Sequence, residues 1–310
     1  MQYHYVPLFL SLLLLFMIVL IVVLLVLNTT KGRHKKDCRR SNRMSALSAV
    51  AVPVPDAKDR IPLIIWTYWN NEVIPPFINA CVQSWKRYHP DFEVNVITPN
   101  TISKYMDFDP KSLHWNDIPA RESDIIRINV LAKYGGIWSD ASIILYGPYP
   151  CLEQIKSGAH EFVGYEIKST QTDKRYPVIE NWWFATTPGG EFITKWRDTF
   201  MDFGPSDTVQ SRVDDLIQHK GTDPQNLGSP HYLFMHLCAQ YVMQKVLDLS
   251  SLRIHLMIAE DGPFKYLVKN SWDNQKSVAD LRKHKGEISV INKLRGCERP
   301  YAEKNWEEMF

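Results

Sequence analysis

The chain lacks the glycine loops that cradle nucleotides in many binding folds: neither GxGxxG nor GxxxxGK[ST] stands where a strand would pass into a helix. It also lacks HExxH and any Ser-His-Asp arrangement in its required setting, which removes zinc peptidases and serine hydrolases. Cysteine is scarce. The five present, Cys38, Cys81, Cys151, Cys238 and Cys297, are odd in number, far apart and without a CxxC pair, so neither a zinc knuckle nor a disulfide framework is indicated. Net charge is nearly absent too: 36 Lys and Arg against 34 Asp and Glu leave +2, which provides no general polyanion-binding surface and argues against nucleic acid as a partner. No internal repeat is found, which excludes solenoids and propellers.

One long apolar run is present. Val6 to Leu27 is almost wholly Leu, Val, Ile, Phe and Met without a charge, against a need for about 20 residues to cross a bilayer. It exceeds the apolar core of a cleaved signal peptide and no basic residue precedes it, so a retained membrane anchor over residues 1–30 is expected. Lys31, Arg33, Lys35, Lys36, Arg39, Arg40 and Arg43 come directly after the span, opposed only by Asp37. The positive-inside rule then puts the remainder of the chain in the cytoplasm, the reverse of a Golgi-lumenal arrangement, which stays open as the alternative. The same run also suits a solvated stalk or anionic headgroups. Residues 31–59 read as that basic stalk and a linker carrying Pro53 and Pro55, and residues 60–310 as one α/β domain. No feature sets an oligomeric state.

Within that domain, Ile61 to Tyr68 suits a buried parallel strand. Pro75-Pro76 opens a helix with Phe77, Cys81, Trp85 and Tyr88 on one stripe, and Phe92, Val94 and Val96 alternate as a second strand. The segment Glu122 to Ser142, ESDIIRINVLAKYGGIWSDAS, is the most informative. It predicts an amphipathic helix stopped by Gly135-Gly136, then a short strand ending at Asp140. Asp124 and Arg127, three apart, share a helix face, so a charged pair and a strand-end carboxylate face one cleft. Downstream, Glu161 to Ile167 and Val178 to Thr186 read as strands, Phe192, Trp196 and Phe200 as one helix stripe, and Tyr232 to Leu249 as a further helix. Asp202 to Pro230 is expected to form a helix and loops over the site. Strand, helix, strand, helix is a doubly wound, Rossmann-like opening, and such open sheets bind ligands beyond the carboxyl ends of their strands.

The pattern SDxxRxxxLxxYGGxWxD, Ser123 to Asp140, resembles the DXD-type sugar transferases of glycosyltransferase family 32, above all their capsular polysaccharide synthesis branch. IPLIIWTYWN (Ile61 to Asn70) and SWKRYHPDFEVNVIT (Ser84 to Thr98) are similar to that branch's opening, and HYLFMH (His231 to His236) and INKLRG (Ile291 to Gly296) to its downstream blocks. The resemblance implies a GT-A-like fold, a UDP- or GDP-sugar donor, retention of anomeric configuration, and a glycan, lipid or polysaccharide acceptor. It implies that Asp124 bonds donor sugar or ribose hydroxyls and that Arg127 meets donor sugar or phosphate, where its planar fork suits oxygen pairs. It also implies a Mn²⁺ or Mg²⁺ ion on Asp140, since hard oxygen ligands suit such ions and the cation offsets charge on the leaving phosphate.

The DXD pattern places a second Asp two positions on, where strand alternation points both side chains the same way. Here that position is Ser142, a weaker ligand. A third ligand is expected from late in the chain, with His236 taken and His255, Asp261 and Asp273 as alternatives. Trp66, Tyr68 and Trp69 end the first strand, where aromatic faces stack on a base, although alternation sends Trp66 and Tyr68 one way and Trp69 the other. Arg121 is a candidate for the diphosphate, Asn181 for the donor, and Trp182-Trp183 for a sugar edge. For each residue a bland role competes: a solvated ion pair for Asp124 and Arg127, a turn cap for Asp140, core packing for the tryptophans, a satisfied buried ring for His236. Two readings result: a membrane-anchored, metal-dependent glycosyltransferase, or a non-catalytic sugar- or nucleotide-binding membrane protein with a degenerate DXD.

Overall fold

The computed structural model describes residues 59–310. The expected anchor over 1–30 and the stalk over 31–59, save its last residue, lie outside the described residues. Among the described residues no helix is long and apolar enough to cross a membrane.

The apolar run near the start of the domain forms β1 (Ile64–Tyr68), and Pro75-Pro76 starts α1 (Pro76–Tyr88), since proline's fixed φ and missing N–H cost nothing in a first turn. α1 buries Phe77, Ile78, Cys81, Val82 and Trp85, each large apolar side chain contributing about 1.5–3 kcal/mol. β2 (Glu93–Ile97) comes next and pairs with β1 in parallel. The central block forms α2 (Pro119–Tyr134) and β3 (Gly136–Ser139), which lies parallel to β1 on its other side. β4 (Ile143–Leu145), β5 (Phe162–Glu166), β6 (Ile179–Thr186), α3 (Glu191–Met201), α4 (Phe234–Tyr241), β7 (Ile254–Ile258) and β8 (Ile291–Lys293) complete the frame.

Six strands form one open sheet in the order β2-β1-β3-β6-β5-β7. β6 alone opposes its neighbours β3 and β5, while the pairs β1·β2, β1·β3 and β5·β7 are parallel. The α/β class and the open, mostly parallel sheet agree with the sequence reading. Strand alternation divides the core between the two sheet faces. Ile65, Ile137, Val163 and Trp183 join the cluster under α1, while Trp66, Trp138, Phe162 and Phe184 join the one under α2, α3 and α4. Both faces being covered, the strands read as nearly unbroken apolar runs. β4 and β8 pair in a separate two-stranded ladder, with Ile143 opposite Lys293.

Two expectations need correction. α2 is not amphipathic: Arg121, Glu122, Asp124 and Arg127 are buried along with Ile125, Ile128 and Leu131, because its polar side is covered by the chain from His231 to Met235 at the start of α4. And the segment from Asp202 to Pro230 forms a short helix, Val209–Asp214, with a π-helical turn, Asp215–His219, but none of its residues lines the cavity at the carboxyl edge of the sheet.

Candidate active site

β1 and β3 run side by side in parallel, so their carboxyl ends share one edge of the sheet. β6 runs the other way and brings its third residue, Asn181, to the same edge. There lies a cavity of about 360 Å³, within the usual range of small-molecule sites. Tyr68, Trp69 and Asn70 line it from the end of β1, Asp140, Ala141 and Ser142 from the end of β3, and Ser123, Asp124 and Arg127 from α2. Tyr232, Leu233 and His236 enter from the start of α4, and Lys293, Leu294, Gly296 and Arg299 from β8 and the chain beyond it.

Arg127 organises the polar wall. Its Nη1 donates to Asp124 Oδ1 at 2.6 Å and its Nη2 to Asp140 Oδ1 at 2.8 Å. The guanidinium lies over the Trp138 ring, 5.0 Å from its centroid, a stacking that adds cation–π attraction. Its buried Nε has no hydrogen-bond partner among the described residues. Asn181 Nδ2 donates to Asp124 Oδ1 at 3.0 Å, and Trp138 Nε1 to Asp140 Oδ1 at 2.9 Å. Lys293 Nζ donates to Asp140 Oδ2 at 2.7 Å and to Ser142 Oγ at 3.2 Å, while Ser142 Oγ donates to the Leu294 carbonyl at 2.7 Å.

The pKa values of the two carboxyls are shifted in opposite directions. Burial dominates at Asp124 and raises its pKa despite Arg127. Burial also pushes Asp140 upward, but Lys293 and Arg127 together outweigh it and hold that carboxyl below its ordinary range. Burial thus acts on both carboxyls, and only at Asp140 do its cationic partners outweigh it.

Of the residues singled out in the sequence, Tyr68, Trp69, Asp124, Arg127, Asp140, Ser142, Asn181 and His236 line this cavity. Four do not. Trp66 shares a face with Tyr68 but lies two residues deeper, where its Nε1 donates to the Gly135 carbonyl at 2.9 Å and its ring packs on Tyr105 and Tyr134. Arg121 is fully buried; helix side chains lean toward the N-terminus, so it reaches Asp117 at 2.9 Å and the His231 carbonyl at 3.0 Å instead of the cavity. It thereby holds the turn that carries Tyr232. Trp182 and Trp183 are both core residues, Trp182 stacking on Tyr165. His236 faces Glu180, Nε2 to Oε2 at 3.5 Å.

A divalent cation fits this arrangement poorly. Asp140 and Ser142 are the oxygen pair that the DXD resemblance assigns to the ion, and the Lys293 ammonium spans both. His255, Asp261 and Asp273 stay away from the cavity, and Asp273 caps the helix Asn274–His284. Sequence reasoning looks late in the chain for a third ligand and misses the residue that arrives there, a lysine. INKLRG names the segment but not the role: alternation puts Lys293 on the side of the buried Ile291, which by itself points to the core and not to the cavity. Arg299 and Tyr232 carry no local signal.

The pattern of the capsular polysaccharide synthesis protein family matches residues 41–217, more than half of the sequence. The chain belongs to that family. Curated proteins similar to it include O-glycosyltransferase braB of Annulohypoxylon truncatum, 24% identical over 155 residues, which are 44% of this chain and 36% of that one. Glycosyltransferase afumC of Aspergillus fumigatus is 24% identical over 247 residues, 72% of this chain and 59% of its own. Inositol phosphoceramide mannosyltransferase 1 of Schizosaccharomyces pombe is 26% identical over 174 residues, 49% of this chain and 51% of its own. The chain thus spans between about a third and three fifths of the length of these relatives. The family match contains the whole of α2, β3 and β6, hence Asp124, Arg127, Asp140 and Asn181, whereas Lys293 lies beyond it.

Proposed function

We propose that this member of the capsular polysaccharide synthesis family is a glycosyltransferase that moves a hexose from a nucleotide-sugar donor to a glycan, lipid or polysaccharide acceptor. The observation that carries the reading is the network in which Arg127 ties Asp124 to Asp140 at the shared carboxyl edge of β1 and β3, inside a cavity of ligand size. The open sheet is read as GT-A-like. Asp124 and Asn181 would bond sugar hydroxyls, Trp69 and Tyr68 would border the base, and Arg127 would meet a phosphoryl or sugar oxygen. Anomeric configuration is retained in this reading, and the product's anomeric proton coupling would report it.

The test is nucleotide release from a panel of UDP- and GDP-sugars with candidate acceptors, comparing the parent with Asp140→Ala. Turnover in the parent and none in a folded Asp140→Ala protein supports the transferase; equal turnover in both removes Asp140 from the chemistry. The rival, a sugar- or nucleotide-binding membrane protein, predicts donor binding without release. Val6 to Leu27 anchors the protein in this proposal, with the domain on the cytoplasmic side. Protease added to sealed vesicles should then cut the domain, and full protection would place it in the lumen.

A further inference from the structure

Lys293 is the last residue of β8, and its pairing with Ile143 sets it one position from Ser142, on the chain that leaves Asp140. Its side chain is 10% exposed. The ammonium sits 2.7 Å from Asp140 Oδ2 and 3.2 Å from Ser142 Oγ, while Arg127 Nη2 sits 2.8 Å from Asp140 Oδ1. Each oxygen of Asp140 therefore already carries a cationic partner, and the oxygen pair that would grip a metal is bridged by a positive charge belonging to the chain itself. Tyr266 donates from its hydroxyl to the Lys293 carbonyl at 2.8 Å, which fixes the backbone from which the side chain reaches in.

We propose that Lys293, with Arg127, takes the place of the divalent cation: the two side chains bind the donor's diphosphate directly, and transfer needs no metal. This rests on the transferase reading and adds to it the source of the positive charge. Charge and valence both support it. Asp124 and Asp140 are offset by Arg127 and Lys293, and Arg299 leaves the cavity wall with a formal excess of one positive charge, His236 taken as neutral. An ammonium carries three N–H donors, two of which are engaged by Asp140 and Ser142, so one is left for a phosphoryl oxygen. A metal bound between Asp140 and Ser142 would displace that ammonium from both partners, leaving a charge on a side chain only 10% exposed without its counter-ion.

In the transfer step the bond between the sugar C1 and the diphosphate oxygen breaks, and its electron pair stays on that oxygen. The acceptor hydroxyl oxygen bonds to C1 and gives its proton to the departing diphosphate. The charge that develops on the leaving oxygen lies where Lys293 and Arg127 donate, which is the role a metal plays elsewhere.

Calorimetric titration of the full chain with UDP and GDP, once in EDTA and once in Mn²⁺, tests this. The nucleotide that binds is expected to do so with a Kd in EDTA within about threefold of that in Mn²⁺, and Lys293→Met to weaken it in EDTA by about tenfold or more. Met keeps the length and apolar stem, and a parent-like unfolding transition confirms that the variant is folded. Should it not fold, Lys293→Gln serves. With the ammonium gone, Mn²⁺ is expected to recover binding in the variant through the freed Asp140 and Ser142 oxygens, which a merely structural lysine would not produce. A parent that binds only with Mn²⁺, or a folded Lys293→Met protein that binds in EDTA as the parent does, overturns the proposal and leaves the transferase reading standing. Failure of any nucleoside diphosphate to bind with or without Mn²⁺ overturns both.

Discussion

Asp124 and Asp140 share one guanidinium: Arg127 bonds the first at 2.6 Å through Nη1 and the second at 2.8 Å through Nη2. One comes from the interior of a helix and the other from the end of the strand after it, so the distance between the two carboxyls is set by a planar fork. Planarity is what a lysine could not supply, since an ammonium is a point charge on a flexible stem.

Arg127→Lys keeps the charge but cannot hold both carboxylates. Nucleotide release from the donor is expected to fall by about 100-fold from misplacement of Asp124 and Asp140. Urea unfolding should show a loss of roughly 1–3 kcal/mol, as the buried Asp124 loses its strongest partner. Activity within twofold of the parent would show that the bridge does not position the site.

Gly136 begins β3 with φ +95°, and a Cβ there would stand 2.7 Å from the Ile64 carbonyl oxygen and 3.0 Å from Trp66 Nε1. Gly136→Ala meets a backbone atom of the neighbouring strand as well as an unfavourable φ, and is expected to cost at least about 2–3 kcal/mol. Thermal or urea unfolding measures it. A change under about 0.5 kcal/mol, the range of an inconsequential surface substitution, would contradict the close approach of β1 and β3.

His89 is buried, stacked on Tyr149, and its Nε2 accepts from the Tyr149 N–H at 3.1 Å, so the ring is neutral. Burial lowers its pKa from 6.5 to about 4. The unfolded chain takes up the proton first, so stability is full above pH 6.5 and falls as the pH drops toward 4, by up to about 3 kcal/mol for the whole shift. The lowered carboxyl of Asp140 acts in the same sense, its contribution present above the unfolded carboxyl value and lost at still lower pH. Denaturant midpoints across that window check the sign. In His89→Gln the fall between pH 6.5 and 4 should flatten relative to the parent, and an unchanged slope would remove His89 from the account.

The aromatic end of β1 separates into two behaviours. Trp66→Phe removes a buried indole N–H from the Gly135 carbonyl and should cost about 1–3 kcal/mol of stability while nucleotide affinity stays within about twofold. Trp69→Ala alters the cavity wall and should weaken nucleotide binding by about 1–3 kcal/mol if its ring stacks on the base. Binding by fluorescence and unfolding by urea, run on both variants, separate the two; a Trp66→Phe protein that folds well but fails to bind would reverse the assignment.

Much of the frame is legible in the sequence because local rules govern it. Pro75-Pro76, Gly135-Gly136 and the apolar runs are read residue by residue, and they predict α1, the stop of α2 and β1, β3, β5 and β6 closely. That Asp124, Arg127 and Asp140 face one cleft also comes from spacing, since all lie within 17 residues of continuous helix and strand. Depth is not legible. Trp66 and Tyr68 have the same parity, and only the position of the strand end relative to the helix stop decides that one packs beneath Gly135 while the other reaches the cavity. The direction of β6 is equally hidden, because a strand buried on both faces reads the same either way.

The sequence alone thus determined the α/β order, the family and the charged block on α2 and β3, all products of short-range periodicity and stop signals. Tertiary structure alone decided what meets that block. Lys293 is 153 residues from Asp140 along the chain, and no local pattern links a lysine at the end of a three-residue strand to a carboxylate across another ladder. Whether the oxygens of Asp140 and Ser142 receive a metal or an ammonium is set by that long-range pairing, because side-chain chemistry is local while charge compensation depends on who is brought within about 4 Å.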